Sequence, residues 1–370
     1  MTNNETKQRL TEALTLLQIP GVGRGRYRRL VEAFGSPAGV LRQDIAHLEK
    51  VKGMSRQTAS AVVEQADRER GSQVAARIIQ LGWAAHFLGD QDYPAMLART
   101  DDPPALLFRV GDQISDDDKM IAIVGTRHPS ENGRLFAHRL AADLAMAGVT
   151  VVSGMAEGVD SAAHRGALDA GGRTIAVWGS SLDIVYPPSN RDLAEQIKQR
   201  GTIVSEYLPG TSPDRGTFPD RNRIISGLSE GVVVVEAGRK SGALITASQA
   251  LAQGRELFAV PGSPQAQTSL GTNDLIRKGA RLVASVDDIF DELPRLRGQV
   301  LARRFQQLDE LTDDEKRITD LLGQGAQQLD LIARQAQMTV GGAMELLLAL
   351  ELKGVVKELA GKRYMLSDDI

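Results

Sequence analysis

The sequence predicts an α/β protein built on a Rossmann-like, doubly wound parallel sheet, with a helical module before the sheet and a winged-helix-like module after it. In the middle of the 370-residue chain, short apolar runs alternate with helical stretches, which is typical of a parallel sheet covered on both faces. The two flanking segments lack that alternation. The predicted domains are therefore residues 1–74, 75–294 and 311–370, with a charged linker at 295–310.

The composition narrows the class of protein and the kind of site. Lys and Arg number 44 against 47 Asp and Glu, a net charge of −3, so a nucleic-acid site must be a local basic patch. Without cysteine, the chain has no disulfide, thiolate metal site or cysteine nucleophile. It shows neither a signal-peptide pattern nor an apolar run of about 18 residues, and we expect a cytoplasmic protein without a membrane segment.

The N-terminal module carries two glycine turns that each precede a helical run. The stretch Ile19–Leu30 places its glycines before an arginine-rich helix start, and Val51–Ser55 is a weaker copy. Free backbone N–H groups at such a helix start accept phosphate, so the pair resembles a helix-hairpin-helix or SAM-like module. A small helical bundle with a solvated basic face is the alternative. The residues predicted as secondary phosphate contacts are Gly21, Gly23, Arg24 and Arg26.

Residues 75–118 carry turn signals and are predicted to form an extended connection into the sheet. The apolar runs after them are predicted as six strands: Met120–Val124, Val149–Val152, Thr174–Trp178, Thr202–Ser205, Gly231–Glu236 and Leu257–Val260. Helical patterns lie between these strands, for example at 133–147 and 243–253. Short buried strands separated by helices pair in parallel, so all six carboxyl ends are expected at one edge of the sheet.

The C-terminal module is predicted to be a winged helix. Thr312 and Glu315 form a capping-box pattern at its start, and two helices follow at 328–337 and 339–353, with a hairpin at 355–366. A helix that reads DNA is basic near its N-terminus. The second helix here is nearly uncharged and apolar. Its sequence therefore favours packing or contact with a protein over the reading of DNA.

The loops that follow the six strands supply glycine, hydroxyl and cationic groups at a single edge. They include Gly125-Thr126-Arg127 after the first strand, Ser153-Gly154 after the second and Lys240-Ser241-Gly242 after the fifth. In an open parallel sheet, ligands bind beyond the carboxyl ends of the strands. Glycine permits close backbone approach, and helix N-termini favour anions. Together these loops predict a phosphate-binding edge.

Two further features distinguish a polynucleotide site from a nucleotide site. The cations near this edge exceed what one or two phosphates require: Arg127, Arg221, Arg223, Arg239 and Lys240. Phe218 adds an aromatic ring in a sequence with 4% aromatic residues. Stacking one base on such a ring contributes about 1–3 kcal/mol. The alternatives are a buried anchoring role for Phe218, and ion pairs of Arg221 or Arg223 with nearby carboxylates.

The same edge lacks the usual enzyme motifs. The sequence has no G-x-G-x-x-G after the first strand and no P-loop, and its five histidines show no metal-ligand spacing, so we expect neither cofactor nor metal. The main enzymatic alternative is a nucleoside-phosphate glycoside hydrolase of the lysine-decarboxylase-like (LOG) family. That family places a catalytic glutamate just after a glycine-rich loop, whereas here no carboxylate follows the loop at Gly238 until Glu256. We therefore expect a protein that is not an enzyme.

Six long motifs occupy the middle of the chain: Ala122–Arg127, Val152–Ala167, Tyr186–Arg191, Phe218–Ser226, Gly238–Thr246 and Ser269–Gly279. Together they closely resemble the motifs of the DNA processing protein A family (DprA, also called Smf). The resemblance spans roughly residues 80–290, and both terminal modules fit the longer members of that family.

The resemblance implies a protein that binds and protects single-stranded DNA and loads the recombinase RecA onto it, in natural transformation or homologous recombination. It also implies displacement of single-strand binding protein, and a homodimer formed through the Rossmann-like domain. By motif, the residues expected to line the DNA pocket are Gly125, Thr126, Arg127, Ser153, Gly154, Phe218, Arg221, Asn222, Arg223, Lys240, Ser241 and Gly242. Arg215 is expected to add a cation at the rim of this pocket.

Overall fold

The structure is a computed structural model, which describes residues 3–214, 216–296, 311–322, 325–352, 355–359 and 361–366. The chain divides into two compact units, Met1–Pro294 and Arg295–Ile370. The predicted linker at 295–310 lies outside the described residues from position 297 onward. None of the described helices is long and apolar enough to cross a membrane.

The first unit begins with six helices, which confirm the predicted helical module. They are α1 (Asn3–Leu17), α2 (Arg24–Phe34), α3 (Pro37–Val40), α4 (Ile45–Leu48), α5 (Arg56–Glu64) and α6 (Arg68–Gln80). Leu14 of α1 and Leu30 of α2 are fully buried in its core. Both predicted turns are present, with Gly21 at φ 86° and Gly53 at φ 84°. Glycine adopts these left-handed conformations without the strain that a side chain would add.

The rest of the first unit is a nine-stranded sheet with accompanying helices. The strands are β1 (Ala84–Phe87), β2 (Leu106–Gly111), β3 (Met120–Val124), β4 (Thr150–Ser153), β5 (Thr174–Val177), β6 (Thr202–Ser205), β7 (Gly231–Val234), β8 (Glu256–Ala259) and β9 (Arg281–Leu282). The helices are α7 (Ala95–Ala98), α8 (Glu131–Met146), α9 (Val159–Asp169), α10 (Arg191–Arg200), α11 (Thr217–Leu228), α12 (Ala243–Ala252), α13 (Leu270–Arg277) and α14 (Val286–Glu292). The strand order is β1-β2-β6-β5-β4-β3-β7-β8-β9. In this spatial order, all neighbouring strands from β6 through to β9 at the far edge pair in parallel. Strand β2 pairs antiparallel with both of its neighbours, β1 and β6.

The core explains why the central strands are continuous apolar runs in the sequence. All residues of the strands β3, β4, β5, β6 and β7 are buried. Successive residues of a strand face opposite sides of the sheet. In β5, the side chains of Ile175 and Val177 pack in the core with α11 and α12, whereas Ala176 packs in the core with α10. The doubly wound arrangement is confirmed, and the six predicted strands are β3 to β8, with ends that differ by at most two residues.

The segment that leads into the sheet differs from the prediction. Residues 75–118 do not form an extended connection; they complete α6 and form β1, α7 and β2. The boundary predicted at residue 74 therefore falls inside a helix. Strand β2 pairs antiparallel with β6, with Phe108 opposite Ser205. Strand β2 is stabilised by pairing with β6, which is far away in the sequence, and local turn signals cannot indicate such a pairing.

The second unit is a winged helix, as predicted. It consists of α15 (Asp313–Leu322), β10 (Gln327–Gln328), α16 (Leu329–Gln335), α17 (Val340–Leu352), β11 (Val356–Leu359) and β12 (Arg363–Leu366). The capping box is confirmed, because Thr312 N donates to Glu315 Oε2 at 2.9 Å and Glu315 N donates to Thr312 Oγ1 at 3.3 Å. Val340, Met344 and Leu348 are exposed on α17, which contains no basic residue. This helix thus lacks the cations with which a recognition helix contacts DNA.

Candidate functional site

Two adjoining clefts open at the carboxyl edge of the sheet. The larger has a volume of about 350 Å³ and lies between the loop after β3, the loop before α12 and the start of α11. Of the residues predicted for the site, it is lined by Gly125, Thr126, Arg127, Phe218, Arg221, Asn222, Ser241 and Gly242. The smaller cleft is lined by Gly154, Trp178, Gly179 and Tyr186, and it shares Arg127, Phe218 and Arg221 with the larger one. The structure therefore brings loops from several strands together in one place.

Phe218 is an aromatic wall shared by both clefts. It lies half-buried in the first turn of α11, with its ring centroid 5.7 Å from that of Tyr186. Arg127 Cζ is 5.2 Å from the centroid of the Phe218 ring. Gly179 supports the ring from below, where a Cβ would come within 2.9 Å of Phe218 Cδ1. The ring is thus half-buried, lines both clefts and has a cation beside it.

Tyr186 is a cleft residue that the sequence-based prediction left out of the site. It is 42% exposed, and it lines the smaller cleft opposite Phe218. A signal was present in the sequence, because Tyr186 is an aromatic residue in a loop that follows the third predicted strand, in a chain with 4% aromatic residues. Two aromatic rings side by side can hold a nucleobase more firmly than one.

Arg221 forms the floor of both clefts. Its guanidinium is buried and donates to the backbone oxygens of Gly154 and Val177, while its Nε donates to Asn222 Oδ1 at 3.1 Å. Burial lowers the pKa of Arg221 to about 10, although the carboxylate of Asp160 acts in the opposite direction. Burial raises the pKa of Asp160, while the positive charge of Arg221 acts to lower it. Arg221 therefore ties the loop after β4 to the end of β5, and its main partners are the protein's own groups.

Arg223 and Arg24 belong to an ionic cluster that joins the N-terminal helices to the sheet. Arg223 pairs with Glu206 at 2.7 Å and with Asp102 at 3.2 Å. Arg24 pairs with the same two carboxylates at 3.1 Å and 3.2 Å, and with Asp220 at 3.5 Å. Neither arginine lines the two clefts. The structure therefore places both arginines outside the two clefts, and the DNA contacts predicted for them stay predictions.

The helical period explains why Arg221 and Arg223 separate. Positions two apart on an α-helix point about 200° apart around its axis. With Arg221 directed into the floor of the clefts, Arg223 is directed to the other side of α11, where Glu206 and Asp102 lie. The motif therefore holds one arginine for each side of the helix.

Ser153 also has a structural role. It is fully buried at the end of β4, and its Oγ donates to Ile123 O at 2.6 Å. This bond joins β4 to β3 below the edge of the sheet, and Ser153 does not line either cleft. Its predicted contact with DNA stays a prediction, while its neighbour Gly154 does line the smaller cleft. Arg215, predicted at the rim, lies outside the described residues.

The predicted phosphate contacts of the N-terminal module lie apart from the two clefts. Arg26 donates to Gly21 O at 2.6 Å and to Gly53 O at 2.9 Å, and so ties the two glycine turns together. Gly23, Arg24 and Arg26 line a separate, open depression of about 770 Å³ that also contains carboxylates of the ionic cluster. Arg24 is paired with carboxylates, whereas Arg26 donates only to neutral carbonyl oxygens and keeps its positive charge.

Exposed cations remain around the clefts. Arg127 and Lys240 are exposed, and neither has an ion-pair partner among the described residues. Arg239 is 69% exposed at its side chain and lies 3.7 Å from Asp274. Helix α12 begins after Gly242, which lines the larger cleft and has no side chain to cap the helix. The first N–H groups of α12 already donate to Ser241 and Gly242, so the exposed cations are the groups that favour a bound anion such as phosphate.

Two ionisable groups that do not line the clefts, His164 and Glu236, form hydrogen bonds within the protein. His164 is fully buried with Nδ1 2.7 Å from Thr174 Oγ1, and burial lowers the pKa of His164 to about 3, so it is neutral near pH 7. Glu236 follows β7 and accepts hydrogen bonds from Ser130 N at 2.9 Å and Ser130 Oγ at 2.5 Å. Within the described stretches, no group of three His, Asp or Glu side chains is arranged to hold a metal ion.

Three family models match the three parts of the chain. The model described as DNA recombination-mediator protein A matches residues 84–294. The DprA winged helix domain matches residues 303–362, and the SAM-like helix-hairpin-helix tandem matches residues 13–68.

Individual proteins show the same similarity. Protein Smf of Synechocystis sp. is 34% identical to this chain, over 94% of the chain and 96% of its own length. The X-ray structure of DNA processing protein A (DprA) from Streptococcus pneumoniae has a TM-score of 0.68 and 33% identity, over 76% of this chain and 97% of that one. The structure of DNA processing protein A from Helicobacter pylori, which concerns that protein's single-stranded DNA binding mode, has a TM-score of 0.52 and 33% identity, over 58% and 96%.

Proposed function

The chain belongs to the DNA recombination-mediator protein A family, and from this premise we propose that it binds single-stranded DNA in the two clefts at the carboxyl edge of its sheet. The observation that carries the proposal is the half-buried ring of Phe218, shared by both clefts, with Arg127 Cζ 5.2 Å from its centroid. A cationic groove with an accessible aromatic ring is the arrangement that binds single strands of any sequence. The Helicobacter pylori relative, described by its single-stranded DNA binding mode, supports the same reading.

The binding mode follows from the positions of these groups. A base stacks on Phe218, with Tyr186 beside it in the smaller cleft. Arg127, and Lys240 next to the start of α12, neutralise the flanking phosphates. In a duplex the bases are paired and stacked on each other, so none is free to stack on Phe218. A preference for single strands is the consequence.

We expect tight, salt-dependent binding of a labelled oligo-dT strand and weaker binding of the matching duplex, measured by fluorescence anisotropy at several salt concentrations. Each phosphate contact on a single strand lowers log affinity by about 0.7 per unit of log salt. Arg127, Arg239 and Lys240 are the exposed cations near the clefts, so the slope should be about −2. Lys240→Ala should reduce the slope by about 0.7.

The control for this measurement is Lys278→Ala, which removes an exposed cation at the end of α13, away from the residues that line the clefts. Its slope should match that of the wild-type protein. Equal affinity for strand and duplex, or a slope that Lys240→Ala leaves unchanged, would contradict the proposed site.

A nucleoside-phosphate glycoside hydrolase of the LOG type is the alternative function. It requires a carboxylate at the clefts, close to the glycine-rich loop after β7. Glu236 is engaged with Ser130, and Glu256 is the first residue of β8, so it lies at the amino edge of the sheet, across from the clefts. Two carboxylates line the clefts, but Glu157 accepts a hydrogen bond from Ser189 Oγ at 2.7 Å and Asp160 accepts one from Ala156 N at 3.3 Å. Both follow β4 rather than the glycine-rich loop after β7, and this placement supports a binding protein. Release of free base from nucleoside monophosphates by the purified protein would favour the hydrolase instead.

We further propose that the protein protects the bound strand and loads the recombinase RecA onto it, displacing single-strand binding protein, in natural transformation or homologous recombination. The family description, a recombination mediator, supports this role. We propose that the protein acts in the cytoplasm, because RecA and its single-stranded substrate are found there. We also propose that it acts as a homodimer, which is what the family resemblance implies.

The loading proposal is tested with RecA and an oligonucleotide coated with single-strand binding protein. Adding the wild-type protein should shorten the lag before RecA begins DNA-dependent ATP hydrolysis, because loading removes the slow nucleation step. A variant that cannot bind the strand, Phe218→Ala, should leave the lag unchanged. An unaltered lag with wild-type protein that binds DNA normally would reject loading while leaving the binding site intact.

A further inference from the structure

A second recognition surface lies on the N-terminal module, apart from the clefts. It is a groove of about 500 Å³ between the second half of α2 and the turn that follows α4. Its apolar floor consists of Ala33, Phe34 and Val51, and its rim carries the basic residues Arg29, Lys50 and Lys52. Phe34 and Val51 are half-buried, so part of each side chain is available to a ligand.

The positive charge of this groove is not neutralised by the protein. Lys50 and Lys52 are exposed and have no ion-pair partner in the part of the chain that the structure describes. Two further residues in the lining are already paired. Glu32 lies 3.7 Å from Arg28, and His47 Nδ1 lies 2.8 Å from Asp44 Oδ1. The groove therefore presents a net positive rim.

Arg29 is held at this rim by contact with the neighbouring turn. Its guanidinium lies against the second glycine turn, where a Cβ on Gly53 would be 3.0 Å from Arg29 Nη2. Arg29 Nε is buried, and it has no hydrogen-bond partner among the described residues. Because the turn limits the positions of the guanidinium, Arg29 is a fixed positive charge in the lining of the groove.

We propose that this groove binds an acidic peptide segment that carries an apolar side chain. Carboxylates of such a peptide complement Arg29, Lys50 and Lys52, and the apolar side chain covers the floor formed by Phe34 and Val51. A DNA backbone would match only the charges, and the apolar floor would stay in contact with water. The pairing of an apolar floor with a basic rim thus favours a peptide over nucleic acid.

The groove and the clefts are independent. Their lining residues do not overlap, since the groove is formed by α2 and the turn after α4, and the clefts by loops of the sheet. A protein partner docked at the groove would therefore leave the clefts free to hold a strand. The peptide proposal does not require the DNA proposal to be correct.

The test uses the full chain and a labelled octapeptide with six aspartates, one phenylalanine and one leucine, followed by fluorescence anisotropy. The double variant Lys50→Glu, Lys52→Glu should weaken binding by about tenfold, as expected for reversing two exposed charges. A peptide with alanine in place of its two apolar residues should also bind several-fold more weakly. Lys7→Glu, an exposed position on α1 of the same module, is the matched control and should bind like the wild-type protein.

Three results would overturn the proposal. One is the absence of saturable binding of the octapeptide to the wild-type protein. Another is an equal loss of affinity in Lys7→Glu, which would indicate attraction to the general charge of the module. The third is a double variant that loses affinity for oligonucleotides while the octapeptide does not bind, which would identify a phosphate-binding surface. We expect both lysine variants to unfold at the wild-type temperature, because the substituted positions are exposed, and a thermal scan checks that they are folded.

Discussion

Arg221→Ala is expected to lower the free energy of unfolding by about 3–5 kcal/mol, because it removes one partner from a buried polar arrangement. The guanidinium of Arg221 donates to the backbone oxygens of Gly154 and Val177. It also provides the positive charge that partly offsets the burial of the Asp160 carboxylate. Without it, two carbonyl groups lose their donors and a buried acid loses its compensating charge. In a thermal unfolding scan, the midpoint of the first unit should fall by about 10 °C.

Two further variants separate charge from hydrogen bonding at this position. Arg221→Lys keeps the positive charge but cannot reach both carbonyl groups, so an intermediate midpoint is expected. Combining Arg221→Met with Asp160→Asn should recover part of the stability lost in Arg221→Met alone, because the carboxylate no longer needs a cation. An Arg221→Ala protein that keeps the wild-type midpoint but loses DNA affinity would show that this side chain serves the ligand more than the fold.

Phe218→Ala is expected to reduce affinity for single-stranded DNA by roughly 5- to 150-fold, which corresponds to the loss of about 1–3 kcal/mol of base stacking. The thermal midpoint should change less than in Arg221→Ala, because the ring is only half-buried and lines both clefts. Anisotropy with the oligo-dT strand measures the affinity, and a thermal scan of the same preparation measures the stability.

Conservative changes at the same position sharpen this test. Phe218→Trp keeps a stacking surface and should bind within a few-fold of the wild-type protein. Tyr186→Ala, which removes the neighbouring ring 5.7 Å away, should cause a smaller loss than Phe218→Ala. If Phe218→Ala binds the strand as well as the wild-type protein does, stacking on this ring is excluded, and recognition must depend on the backbone phosphates alone.

Much of the architecture is determined by local patterns in the sequence. Strands β3 to β8 are buried on both faces, so each is a short apolar run that is visible without any structure. The capping box of Thr312 and Glu315 depends on residues three positions apart and was predicted for the same reason. The convergence of glycine and cationic loops follows from parallel pairing, which places all the carboxyl ends at one edge. The motifs of residues 122–279 identify the family.

The tertiary structure decided which of the predicted side chains face the clefts. Arg221 and Arg223 belong to one motif, yet one forms the floor of the clefts and the other pairs with Glu206 and Asp102. Those carboxylates come from a different loop and a different strand end, so their proximity depends on pairing between β2 and β6. Strand β2 itself was missed for the same reason. Burial, ion pairing and strand pairing depend on contacts with distant parts of the chain. A local sequence pattern carries no information about which distant residue makes the contact.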